Sequence, residues 1–184
     1  QHLRTSLRLL IKQSSMKKES ITAIEAIALR DKLSRDISRM WDIISTENVA
    51  DKNYKRNYDM KLILKKIDEL SKQRVEVKLQ IQLINMGYKK RSETPANWLY
   101  PQIYELSEKN EQFVQLGLIP TLDAKLKAKK GKAKISKTEE LTSAFIKQKR
   151  EKLQLEINDL KKKIEDYNAT ATLDIEEISV ALAA

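Results

Sequence analysis

The sequence has no cysteine, so disulfides, thiol chemistry and zinc–thiolate sites are excluded. Its single histidine is His2. That argues against histidine acid–base catalysis, a Ser/His/Asp triad and histidine-held metals. The carboxylate-plus-histidine pattern of di-iron bundles is missing too. Three glycines and three prolines, all scattered, cannot make a Walker loop or a dinucleotide fingerprint. No apolar run approaches the ~18 residues that span a membrane. Aromatics are 5%, well short of a sheet-rich core. The paired acids Asp68/Glu69, Glu139/Glu140 and Glu176/Glu177 point about 100° apart on a helix, so they read as solvated faces. No residue nominates itself for catalysis and no cofactor is called for; the reading is non-enzymatic.

So few helix breakers in 184 residues leave room for long helices. The apolar fraction is 41% and the charged fraction 34%, which suits a thin helical core sharing its surface with partners. The expected fold is all-α: an elongated antiparallel helical hairpin or coiled-coil bundle with a basic flexible loop.

The centre of that fold is a seam at Met60, Ile63, Ile67, Leu70, Arg74, Val77, Ile81 and Ile84. Its spacing of three and four is that of a coiled coil. Asn57 or Asp59 can cap this helix, and Gly87 is placed as its stop. At about 26 residues it would be ~40 Å long. A second seam runs Ile146, Arg150, Leu153, Ile157, Leu160, Ile164 and Tyr167, with Ser136 and Glu139 at capping-box spacing ahead of it. It can pair with the central helix or with a copy of itself.

An earlier helix starts at Thr22, capped with Glu25. Its inward line is Leu33, Ile37, Met40 and Ile44, broadened by Trp41 and Ile43, and it ends near Thr46–Asn48. The polar stretch 46–58 reads as a loop. Thr94 and Pro95 look like a cap and first-turn proline. Pro101 opens a further helix, with Ile103, Leu106 and Phe113 inward and Gly117 ending it.

Arg30, Arg74 and Arg150 each sit on a seam. The expectation is a stem lying on the seam with the charged head reaching water. The alternative is a polar layer that fixes register or reaches a partner.

The net charge of +10 is unevenly spread. Residues 1–18 and 125–137 are basic and free of acids, while the last eleven residues are acidic. The segment with Lys125, Lys127, Lys129, Lys130, Lys132, Lys134 and Lys137 repels itself into an extended state. It reads either as a solvated loop or as an arm for RNA or DNA backbone phosphates. Lys89, Lys90 and Arg91 lie beside Tyr88, Trp98, Tyr100 and Tyr104. The aromatics cap the helical core, or alternatively stack on bases while the cations meet phosphates. Leu3, Leu7, Leu10 and Ile11, among Arg4, Arg8 and Lys12, make a short amphipathic helix. It docks on the bundle or, less favoured, lies on a membrane surface. Gln1 in place of Met reads as a processed or truncated start, with Met16 as an alternative initiator.

The chain divides into a basic amphipathic segment (1–18), a helical hairpin (19–87), short helices with an aromatic turn (88–124), a Lys-rich loop (125–137), a long helix (138–168) and a tail (169–184). Residues 22–86 resemble the septicolysin-like helical hairpins, a small bacterial and phage family. The resemblance rests on Glu25-Ala26-Ile27-Ala28-Leu29-Arg30-Asp31-Lys32-Leu33, on Tyr58-Asp59 and on Ile81-Gln82-Leu83-Ile84-Asn85. It implies a helical hairpin and carries over no site residue.

The function expected is a structural or adaptor subunit of a larger assembly, using its seams for protein–protein contact or self-association. The alternative is a nucleic-acid-binding accessory protein acting through its lysines. The expected compartment is intracellular and cytoplasmic, with the mitochondrial matrix as alternative.

Overall fold

A computed structural model of the chain describes residues 20–122 and 137–172. Its elements are α1 (Ala23–Glu47), β1 (Val49–Asp51), α2 (Met60–Asn85), a 3-10 turn (Arg91–Glu93), α3 (Tyr100–Leu118), β2 (Lys137–Glu139) and α4 (Ser143–Thr170). The protein is an all-α helical bundle, with one small two-stranded sheet among the described residues.

The helix ends follow local chemistry. Thr22 Oγ1 accepts from the Glu25 amide, and the Glu25 carboxylate accepts from the Thr22 amide, which satisfies two orphan donors of the first turn. Asp59 Oδ1 accepts from the amides of Lys61 and Leu62. Past the end of α2, Gly87 takes φ +76°. Tyr88 N–H then reaches Leu83 O and Gly87 N–H reaches Ile84 O, the paired bonds of a left-handed helix stop.

α1 and α2 form one antiparallel hairpin and α3 and α4 a second, and α2 packs along α3. β1 follows α1 and β2 precedes α4. They pair antiparallel, Val49 with Glu139 and Asp51 with Lys137, and tie the hairpins at one end. The main core lies in that half of the bundle. It joins Leu33, Ile37, Trp41 and Ile44 of α1 to Met60, Leu64, Ile67 and Leu70 of α2. Leu116, Ile119, Leu141, Ile146 and Leu153 close it from the second hairpin. Each fully buried isoleucine or leucine contributes about 1.5–3 kcal/mol over its exposed state.

Several expectations need correction. The 46–58 stretch contains β1, formed because β2, far along the chain, supplies its hydrogen bonds. Thr94–Pro95 starts no helix: Thr94 closes the 3-10 turn by donating to Arg91 O. Gly117 does not stop α3, which runs on to Leu118. The last helix is capped by Thr142, whose Oγ1 accepts from Phe145 N–H, while Glu139 lies in β2. The second long seam faces α3 rather than α2.

The register of the central seam also differs. Met60, Ile67, Leu70 and Arg74 are buried, Ile63, Val77 and Ile81 are half-buried, and Ile84 is exposed. Leu64, Ser71, Leu79 and Leu83 complete the buried face. A 3.5-residue line drifts around a 3.6-residue helix by about 20° per heptad. α2 is also covered from two sides, by α1 and by α3, so its buried face leaves a single seam. On α4, Ile146, Leu153, Ile157 and Leu160 are buried, whereas Arg150 and Ile164 are half-buried.

Candidate functional site

The interior holds a cluster of charge. Arg74 of α2 is buried, and so is Glu108 of α3. Arg74 Nε donates to Glu108 Oε1 at 2.9 Å and its Nη2 to Oε2 at 2.6 Å. Nη2 also reaches Glu111 at 2.6 Å, and Nη1 reaches Ser34 Oγ of α1 at 3.2 Å. Lys78 Nζ donates to Glu108 Oε1 at 2.8 Å. Burial by itself would lower the pKa of Arg74. The hydrogen bonds and charge of Glu108, together with Glu111, outweigh it and hold the guanidinium above its ordinary value. The expectation of a head reaching water is therefore wrong for Arg74, which forms the polar layer instead. For Arg30 the expectation is nearer: it pairs with Asp31 at a partly exposed site. The sequence carried a signal for the partner, since Glu105, Glu108 and Glu111 recur every three residues on the neighbouring helix.

Two more pairs link α4 to the other helices. Lys109 of α3 meets Glu156 at 2.6 Å and Lys149 meets Asp68 of α2 at 3.1 Å. Burial pulls the Lys109 pKa down, but Glu156 and Glu105 more than reverse this. These groups line a cleft of about 510 Å³ between α2, α3 and α4. Its floor includes Ser71, whose hydroxyl is buried without a partner. Of the carboxylates here, Asp68, Glu108 and Glu156 pair across helices, Glu105 pairs with Lys109 within α3, and Glu76 pairs with Arg91 of the 3-10 turn. Among the described residues no cluster of His, Asp or Glu could hold a metal ion.

A second polar knot fastens the sheet end. Asn48, fully buried, donates through Nδ2 to Pro120 O and Leu141 O at 2.7 and 3.0 Å and accepts from Leu141 N–H at 2.7 Å. Arg56 donates to Glu47 O, Asn48 O and Thr138 O. Glu140 accepts from Met60 N–H. Sequence reasoning missed Asn48 and Arg56, because a polar stretch gives no hint of which distant carbonyls it will meet.

The opposite end presents apolar side chains. Ser34 and Arg74 touch across the first hairpin, so antiparallel packing sets Ile24 level with Ile84 and Ile27 level with Ile81. Ile24 is 80% exposed, and Ile27, Ile84 and Met86 are each about 40% exposed.

Of the basic candidates, Lys89, Lys90, Arg91 and Lys137 are exposed. Arg91 pairs with Glu76, and Lys137 stands opposite Asp51 in the sheet. Lys125, Lys127, Lys129, Lys130, Lys132 and Lys134 lie outside the described residues, as do the 1–18 segment and the tail from Leu173. Lys89–Arg91 follows the end of α2 while Lys137 lies beside its start, about 40 Å away along the helix, so Lys137 does not join Lys89–Arg91 in one patch. Trp98, Tyr100 and Tyr104 form a tilted, half-buried stack with centroids 5.5 and 5.9 Å apart. Burial, then the Tyr100 hydroxyl, pushes the Tyr104 pKa up. Among the described residues no helix is long and apolar enough to cross a membrane.

No protein-family model matches the chain, and comparisons with curated proteins and with solved structures give no match.

Proposed function

We propose that this chain is a non-enzymatic helical subunit of a larger macromolecular assembly, joined to protein partners by coiled-coil-like contact along helix faces. The observation that carries this reading is the apolar end of the first hairpin. Ile24, Ile27, Ile84 and Met86 are exposed there, and helix faces of this kind are buried when a partner helix lies along them. Most interior seam positions are covered within the chain, and the contact is assigned to this end because Ile24 is the most exposed large apolar side chain among the described residues. The buried charges point the same way, since they serve helix–helix cross-links. Residues 22–86, which resemble the septicolysin-like hairpins, are the α1–α2 hairpin.

The test is the solution mass of the full chain by light scattering, together with recovery of its bound partners from native material. Ile24→Asp with Ile84→Asp should abolish the association and leave the melting temperature nearly unchanged. Association that survives both substitutions refutes the reading.

A second reading, contact with RNA or DNA backbone, draws on exposed Lys89 and Lys90. They have no acidic partner within ion-pair distance among the described residues. It differs from the first in requiring steep salt dependence.

A further inference from the structure

The cation that stands apart from the rest is Arg150. Seven other described lysines and arginines are at least half-buried: Arg30, Arg56, Lys66, Arg74, Lys78, Lys109 and Lys149. Each of them has a carboxylate within 4.0 Å. Arg150 is half-buried and has none among the described residues. Its guanidinium lies over the Phe113 ring, 4.2 Å from the centroid. It also spreads across Gly117: a Cβ built there would meet Cζ and Nη1 at 3.3 Å and Nη2 at 3.5 Å. Phe113 and Gly117 are four residues apart, so they share one face of α3. A glycine inside a helix weakens it by about 1 kcal/mol relative to alanine, and here it leaves the space that the flat guanidinium fills. The Arg150 Nε is sealed from solvent without an acceptor, whereas its terminal nitrogens are not sealed.

The same guanidinium lines a cleft of about 460 Å³ between α3 and α4. Thr121, Ser143 and Gln154 supply polar groups around it, and Lys147 a second cation. Among the described residues Glu151 is the one carboxylate on the wall, and it is 3.9 Å from Lys147. A planar arginine fixed on its face presents its terminal N–H groups in the geometry that carboxylates and phosphates accept.

We propose that the cleft between α3 and α4 is an oxyanion-binding site anchored by Arg150, taking the carboxylate or phosphate group of a ligand. Arg150 supplies the fixed donors, Lys147 adds charge at the rim, and Phe113 with Gly117 holds the guanidinium in plane. This is independent of the assembly contact at the far end of the bundle.

The test is a titration of the ¹⁵N-labelled full chain with sodium phosphate and, separately, sodium acetate. Ionic strength is held constant with chloride, and the arginine side-chain signals and the Gly117 amide are followed. A saturable shift of the Arg150 signals with either anion supports the site. The anion that saturates at lower concentration identifies the group as phosphate or carboxylate. No saturable shift with either, or a shift that chloride reproduces, overturns it. In Arg150→Gln the Gly117 response should vanish, and a response that persists overturns the assignment to Arg150. Because the wild-type titration stands alone, a poorly folded variant does not remove the test.

Discussion

Arg74 and Glu108 hold each other through hydrogen bonds of 2.6 and 2.9 Å, with side chains 7% and 4% exposed. They come from different hairpins, so the pair decides how α2 lies against α3. Two desolvated charges are stabilising only as a pair: removing one strands the other in a medium that solvates it poorly.

Arg74→Leu should therefore destabilise the fold by about 3–5 kcal/mol in urea unfolding. Arg74→Leu with Glu108→Leu should recover most of that loss, because Glu111 and Lys78 are closer to solvent and can rehydrate. A double mutant as unstable as the sum of the two single variants would contradict this account of the pair.

Asn48→Ala should cost about 3 kcal/mol or more, since it orphans the Leu141 N–H and the carbonyls of Pro120 and Leu141. Asn48→Asp should be worse, because it sets a carboxylate against those two carbonyls. Hydrogen exchange at the Leu141 amide is the direct readout, and unchanged protection in Asn48→Ala would refute the knot.

Lys109 gives a pH dependence. Its folded pKa lies above the ordinary 10.5, so its contribution is fully present below about pH 10.5 and is lost as pH rises through the folded value. Lys109→Met should cost about 1–2 kcal/mol at neutral pH. The gap between wild type and variant should close in alkali. A gap that stays constant to pH 12 would count against the Lys109–Glu156 pair.

Leu83 and Ile84 test the register of α2. Leu83 is 3% exposed and Ile84 38%. Leu83→Ala should lose about 2–5 kcal/mol and Ile84→Ala under about 1 kcal/mol, measured by thermal melts. Equal losses would restore the seam drawn from spacing alone.

For the nucleic-acid reading, changing the seven lysines of 125–137 to glutamine should abolish binding to single-stranded RNA at low salt. Unchanged binding would dispose of that reading.

Local chemistry made much of the architecture legible without coordinates. The Thr22–Glu25 box, the Asp59 cap and the glycine stop at Gly87 each act within a few residues, and periodicity marked Ile67, Ile157 and Leu160 as apolar helix-face positions. Capping and amphipathicity are properties of one helix, so one stretch of sequence is enough to specify them. What only the tertiary structure decided is every pairing between distant segments: α4 on α3, β1 with β2, Asn48 with Leu141, Arg74 with Glu108. The same sequence periodicity fits several partner helices. Choosing among them depends on which buried charge finds its counter-charge and which carbonyl finds its donor, and those matches exist only once the chain has packed.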